Sequence, residues 1–360
     1  MAADMKETIN VTVVQNWTLY WDVTTARDDI RFPETASNVM FVVVSVFSVL
    51  GTVANLLTLT ALTRNPRLCR RATTTFVLNL ALADCVFSCA TGPLDAAVFY
   101  HRYWPYSTSL CTAVALLRHL TVGASLFSIQ LITINRYMSV FHPSWYCTSG
   151  GSCLLMVATS WIAPAVLLLP PTIRTSGSFG YDSREASCTI SRGSDSLYKA
   201  FLYLSSACIP IVTFLRCYPS LFLALRRSQR RLTLHSVSAM KLESIATQDK
   251  TFVNVNRAPS LVQLSPRKMS TAPRPDREKQ LLLVIVAIFG AFLVCYVPIL
   301  VVTGLDVAVE YPWLRLLTYL TFYASAWANP LIYVVMSREY RQAYVALITG
   351  TGHVRDSDSS

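Results

Sequence analysis

The stretch LITINRYMSVF, residues 131–141, decides the reading of this chain. It sets Asn135-Arg136-Tyr137 at the end of an apolar segment running from about Thr108 to Phe141. An arginine at the margin of a hydrocarbon-length helix is costly unless it snorkels, faces a wet bundle interior or meets a partner. An ordinary flanking arginine obeying the positive-inside bias would look the same by itself. Six further segments with matching signatures at matching depths outweigh that bland reading.

Those segments are approximately Asn38–Thr63, Thr73–Phe99, Gly150–Pro171, Ser196–Leu225, Gln280–Leu305 and Trp313–Met336, with Thr108–Phe141 third in order. Each is long enough to span about 30 Å of hydrocarbon. Only 14% of the 360 residues are charged, against 53% hydrophobic, a balance that fits membrane spans better than a soluble domain. Backbone polar groups in lipid must be satisfied within the segment, so the spans are helices. The expected fold is all-α: a seven-helix transmembrane bundle over 38–336, with an N-terminal segment 1–37 and a cytosolic tail 349–360.

The net charge of +11 would suit a nucleic-acid partner, but its distribution does not. Arg64, Arg67, Arg70 and Arg71 follow the first span and Arg226, Arg227, Arg230 and Arg231 the fifth, while residues 1–37 lean acidic. That asymmetry sets the N-terminus outside and the C-terminus in the cytosol of a plasma-membrane protein. Asn10 and Asn16 begin N-x-T acceptors in the outer segment and are expected to carry glycans. Of ten cysteines, only Cys111 and Cys188 fall on the outer side, so a bridge there, if formed, joins those two. The five histidines are scattered and suggest neither a metal nor a nucleophile site, so no enzyme is expected.

Polar residues inside the spans carry the functional reading. Asn55 lies in the first and Asp84 and Asp95 in the second, the aspartates eleven residues or about three turns apart and so placed on one face. Arg118, Ser125 and Arg136 form one stripe on the third, since eighteen residues make about five turns. Pro210 and Tyr218 lie on the fifth. Residues 228–278 are basic and Ser/Thr-rich and read as a flexible cytosolic linker. Residues 337–348 set tyrosines and Leu347 against Arg338 and Arg341, the pattern of a helix lying on the inner leaflet.

Seven spans, Asn135-Arg136-Tyr137 on the third, Cys295-Tyr296-Val297-Pro298 on the sixth and Asn329-Pro330-Leu331-Ile332-Tyr333 on the seventh together resemble a rhodopsin-like (class A) G-protein-coupled receptor over roughly residues 38–348. Within that class CYVPI, FGYDSREASCTI and YVVMSREYRQAY are similar to the insect moody/trapped-in-endoderm branch, related to melatonin receptors. The resemblance implies a receptor that rearranges its helices to activate heterotrimeric G proteins, with arrestin and receptor kinases as further partners, lipids around it and no nucleic acid. It implies Arg136 as the switch, Tyr218 and Tyr333 as the tyrosines that meet it when active, and a Cys111–Cys188 bridge. It implies Asp84 as the carboxylate of an allosteric sodium site, with Asn55, Ser125, Asn329 and Ser325 as polar neighbours, and no other cofactor. It implies Phe292 and Tyr296 as the connector beneath the ligand, with helices bending at Pro210 and Pro298.

Two residues depart from the family pattern. Asn135 stands where an acid is usual and cannot neutralise Arg136, which shifts the restraint on the resting state to Glu278 on the sixth span. Tyr296 stands where a tryptophan is usual. Arg118 at ligand depth argues against an amine, and either binds an anionic or lipid-like ligand or pairs with Asp95. A ligand scavenger of the same fold that activates no G protein is the main alternative, and an ion transporter a weaker one, since no internal repeat supports it.

Overall fold

The computed structural model describes residues 33–69, 71–142, 150–190, 196–250, 275–305 and 312–350. The helices crossing the bundle are α1 (Glu34–Thr63), α2 (Ala72–His101), α3 (Thr108–Phe141), α4 (Gly150–Leu167), α5 (Ser196–Lys250), α6 in two pieces (Pro275–Cys295 and Val297–Gly304) and α7 (Pro312–Met336). Asn10, Asn16 and the side chain of Glu278 lie outside the described residues.

Side chains sort themselves as a lipid solvent requires. Val39, Val42, Val46, Val49 and Val53 of α1 and Leu154, Leu155 and Ile162 of α4 are exposed, while Asp84, Asp95, Arg118, Ser125 and Asn329 are buried. An apolar exterior of that extent on a monomer marks contact with lipid, and polar groups turned inward mark the shared core. Among the described residues five helices are long and apolar enough to span on hydropathy alone, and α4 is shorter. The tyrosines, Arg315, Ser325 and Asn329 of α7 dilute its apolar run, because it faces the polar core along most of its length.

The helix α3 is the axle, touching α2, α4, α5 and α6. Lipid supplies no hydrophobic drive for helices to associate, so close packing through small residues does that work. A Cβ on Gly123 would stand 2.6 Å from the Pro164 ring of α4, so glycine sets the α3–α4 approach.

Three departures from the sequence reading have local causes. First, α2 opens into a π turn over Phe87–Thr91, beside Gly92-Pro93, whose proline has no amide to donate. The turn rotates the outer half of α2, so Asp84 and Asp95 do not share one regular face; both stay inside because α1, α3 and α7 surround this helix. Second, α5 does not end near Leu225 but stays helical to Lys250, which removes 228–250 from the expected flexible linker. Its arginines, Leu, Gln, Met and Lys favour helix, and extending an existing helix avoids the nucleation cost. Third, α6 begins at Pro275, a favoured first helical residue, and breaks at Tyr296, two residues before Pro298, whose missing amide cannot continue the ladder.

Outside the bundle, β1 (Phe179–Asp182) and β2 (Ser187–Ile190) pair antiparallel, Tyr181 opposite Cys188. A disulfide joins Cys188 to Cys111 at the start of α3 and holds this hairpin over the bundle mouth. Past α7, Ser337 accepts from the amide of Tyr340 and caps α8 (Arg338–Thr349). Val345 and Ile348 of α8 are exposed, whereas Tyr340 and Tyr344 are buried. The Tyr344 hydroxyl bonds Thr58 Oγ1 of α1 at 2.6 Å, so α8 is fixed to the bundle.

Candidate functional site

The polar core is organised in three levels. At the middle, Asp84 (2% exposed) accepts from Ser125 Oγ at 2.7 Å through one oxygen and from Asn329 Nδ2 at 2.9 Å through the other. Three helices, α2, α3 and α7, thus converge on one carboxylate. Asn55 does not join that pair; its amide donates to the Gly51 and Ala326 carbonyls at 2.8 and 2.6 Å, tying α1 to α7. The Ser325 hydroxyl turns back to the Phe322 carbonyl at 2.6 Å, a bond within its own helix. Among the described residues Asp84 meets only neutral donors and no basic side chain. A charged carboxylate so placed lacks a counter-charge, and its oxygens with Ser125 suit a hard cation such as sodium.

Above Asp84 lies an aromatic layer. Phe292 (1% exposed) and Tyr296 (4%) of α6 pack beside Phe322 of α7, with Tyr296 and Phe322 rings edge-on at 5.9 Å. Phe289 stacks on Phe214 of α5 at 3.7 Å. Pro210, about one turn before Phe214, lies within α5. A shift of α6 must therefore repack rings on α5 and α7, which is the behaviour expected of a connector.

The outer level is ionic. The Arg118 guanidinium pairs with Asp95 and donates to the Cys188 carbonyl at 2.9 Å, and Tyr323 donates to the second Asp95 oxygen at 2.8 Å. The expected Arg118–Asp95 pair is formed. Three residues missed in the sequence complete this level. Glu185 reaches in from the hairpin, 3% exposed, with Lys199 Nζ at 2.6 Å and Arg315 Nη1 at 3.5 Å; its carbonyl accepts from Tyr319. Arg315 is 1% exposed and two of its groups, Nε and Nη2, have no hydrogen-bond partner among the described residues. Among the described residues the buried charges here are Arg118, Lys199 and Arg315 against Asp95 and Glu185, one positive charge in excess. Beside them His119 bonds the Tyr203 hydroxyl at 2.6 Å, which meets Thr189 of β2 at 3.2 Å.

The level at the Arg136 end of the bundle is closed. Arg136 Nη2 donates to Thr73 Oγ1 of α2 at 2.6 Å. The cavity beside Arg136, bounded by Thr73, Ile132, Ile285 and Tyr340, holds only about 20 Å³. Asn135 is 1% exposed and among the described residues neither amide atom has a hydrogen-bond partner; uncharged, it cannot neutralise Arg136. The Tyr137 ring lies tilted against Phe141 at 4.7 Å, and Tyr218 stacks on Phe214 at 4.8 Å. Tyr333, just after Pro330 in α7, is 1% exposed with an unpartnered hydroxyl, its ring edge-on to Tyr340 at 5.7 Å. A restraint that the sequence did not suggest spans this end: Gln280 of α6 donates to the Met336 carbonyl at the end of α7, at 2.6 Å.

A further amide also escaped the sequence reading. Asn79 of α2 donates to Ser128 at 2.7 Å and Ser160 at 2.9 Å and accepts from Trp161 Nε1 at 2.9 Å, joining α2, α3 and α4. Its position near the start of a span looks like an ordinary flank; only Trp161, the lone tryptophan of the fourth span, hinted at a partner.

Residues 54–333 match the family model described as 7 transmembrane receptor (rhodopsin family). The chain is 30% identical over 337 residues to the G-protein coupled receptor moody of Drosophila melanogaster, covering 83% of this chain and 49% of that protein. It thus spans about half the length of the moody receptors it matches. Protein trapped in endoderm-1 of the same fly is 28% identical over 87% of this chain and 78% of its own length. Melatonin receptor type 1B-B of Danio rerio is 26% identical over 94% and 90%. In three dimensions squid rhodopsin superposes with a TM-score of 0.67 at 20% identity, covering 89% of this chain and 87% of the other.

Proposed function

Because the chain belongs to the rhodopsin family of seven-transmembrane receptors, we propose that it passes an extracellular chemical signal to heterotrimeric G proteins by moving between two helix arrangements. It sits in the plasma membrane as a multi-pass protein, oriented with its N-terminus outside and its C-terminus in the cytosol. The single observation that carries the reading is the polar chain through one bundle, from Glu185 and Arg315 at the mouth, past Asp84, to Arg136 at the cytosolic end. Arrestin and receptor kinases would share the cytosolic face.

The arrangement described is the resting one. A cavity of about 20 Å³ cannot admit a G-protein helix, so coupling requires α6 to move outward about Pro298 and expose Arg136 for docking in a groove. The opening breaks the Gln280–Met336 bond and frees Arg136 to meet Tyr218 and Tyr333. Leaving the Tyr333 hydroxyl buried and unpaired costs about 1–3 kcal/mol, which an active state that pairs it recovers. Sodium held by Asp84 and Ser125 favours the closed bundle by neutralising a stranded charge. Shifting such an equilibrium from 1:99 to 99:1 takes about 5.5 kcal/mol of differential ligand affinity.

The ligand is an anion. Arg118 is spent on Asp95, whereas Arg315 keeps two buried donors open among the described residues, in a cluster whose described members carry one cation in excess. A phosphate or carboxylate there satisfies both donors and balances the charge. Lysophosphatidates and fatty carboxylates, tested against their neutral analogues by G-protein dissociation, should yield activators only among the anionic members, with the response lost in Arg315→Ala. Activation by a cationic amine that survives Arg315→Ala contradicts the anionic reading.

A further inference from the structure

The turn of the outer hairpin carries an acid to the place where an anionic ligand needs cations. Residues 183–186 join β1 to β2. Asp182, at the end of β1, accepts from the Arg184 amide at 2.9 Å through its side chain and from the Glu185 amide at 3.1 Å through its carbonyl. Ala186 follows with a φ of 45°, a left-handed backbone that disfavours any residue with a Cβ. Within this twist Arg184 is exposed, whereas Glu185 and Ala186 are buried. A strained turn persists only where its surroundings hold it, and here they hold Glu185.

Both ends of that residue are fixed. Its carboxylate lies 2.6 Å from Lys199 Nζ and 3.5 Å from Arg315 Nη1, and its carbonyl accepts from Tyr319, one turn on from Arg315 in α7. The turn therefore covers Arg315, which is almost wholly buried. An anion arriving from outside must lift the turn, and the Glu185 carboxylate leaves with its own backbone. The β2 strand is anchored independently, through the Cys188 bridge to Cys111, the Cys188 carbonyl on Arg118 and Thr189 on Tyr203. It stays as a wall of the site while the turn moves, and the movement relaxes Ala186.

Lifting the turn frees three donor groups together: the Lys199 ammonium, the Arg315 guanidinium and the Tyr319 hydroxyl. Asp95 still neutralises Arg118, so among the described residues the vacated cluster holds the charges of Lys199 and Arg315 without an acid. A carboxylate balances only one of them. A phosphate monoester carries about −1.5 to −2 charges at pH 7 and offers several terminal oxygens as strong acceptors.

We propose that Glu185 is a tethered competitor seated in the ligand's anion site, that the ligand's head group displaces it, and that the vacated cluster selects a phosphate monoester over a carboxylate. The proposal rests on the anionic ligand put forward above and adds what that ligand must displace. Full-length receptor in phosphatidylcholine nanodiscs, without G protein, is titrated with radiolabelled oleoyl lysophosphatidate and with radiolabelled oleate, which share an acyl chain. The parent should favour lysophosphatidate by about tenfold, the effect of one added charge-assisted hydrogen bond. Glu185→Gln, similar in shape but uncharged, should tighten both lipids about tenfold and keep the preference, because the charged bond that either head group must break is gone. Glu185→Asp keeps the charge on a stem one methylene shorter; it should tighten both by a smaller factor, and it decides the matter if Glu185→Gln does not fold. Unchanged or weaker binding in the folded variants overturns the competitor while the anionic ligand stands. A gain for lysophosphatidate alone overturns displacement, since Glu185 then remains beside the ligand. Equal affinity of the parent for the two lipids overturns the selectivity. Binding of neither lipid to any variant overturns the anionic ligand itself, and this proposal with it.

Discussion

Arg118→Ala is expected to destabilise the receptor by about 3–5 kcal/mol, because it strands Asp95 without a counter-charge in a buried site. Asp95 is 2% exposed and, among the described residues, keeps only Tyr323 as a donor once the guanidinium is gone. The Cys188 carbonyl loses its donor at the same time, which loosens the hairpin over the mouth. Removing both charges in Arg118→Met/Asp95→Leu should recover most of the loss, since a well-packed apolar pair avoids the desolvation that an ion pair must offset. Folded receptor surviving a heating series, read by size-exclusion fluorescence in detergent, checks both variants. A single variant as stable as the parent, or a double variant worse than the single, contradicts the structural role of this pair.

Cys188→Ala should have an effect of similar size by a different route. The bridge to Cys111 closes 77 residues of chain, and cross-linking a loop of that length is worth about 4 kcal/mol through the entropy of the unfolded chain. It also holds β2 against α3, and β2 flanks the turn that carries Glu185 to Lys199 and Arg315. Losing it should lower thermal survival and, in any preparation that remains folded, weaken activation by an anionic ligand. Cys111→Ala/Cys188→Ala should match the single variant, because the same bond is absent from both. Unchanged stability in all of these variants would show that the bridge does not support the outer level.

Much of the architecture is legible in the sequence because lipid is an unforgiving solvent: apolar runs of spanning length must be helices. The same logic made Asp84, Ser125, Arg118 and Arg136 stand out, since a polar group in such a run needs a reason. What escaped falls into two kinds. Glu185 lies in a loop, where an acid carries no signal, and its burial arises from a hairpin folding back over the mouth. Arg315 stands three residues into α7 and reads as a flank, although it is 1% exposed. The second kind concerns geometry within helices. Gly92-Pro93 signals an irregularity, but only coordinates show that it becomes a π turn and rotates Asp95 away from Asp84. Gln280 reads as the first residue of an apolar run; its bond to Met336 depends on where α7 ends, which no spacing reveals.

The central claim is that buried polar groups hold the bundle in a closed state that can open to a G protein. It is tested most directly by nucleotide exchange on a panel of G-protein α subunits in membranes holding equal amounts of each receptor variant. Basal exchange should exceed receptor-free membranes for at least one subunit and rise about fivefold in Gln280→Ala, the worth of one neutral hydrogen bond near 1 kcal/mol. It should be higher in choline chloride than in sodium chloride, lose that difference in Asp84→Asn, and fall to background in Arg136→Ala. Exchange that never exceeds receptor-free membranes, for any subunit, variant or anionic ligand, would make the chain a binding protein of this fold and contradict the account.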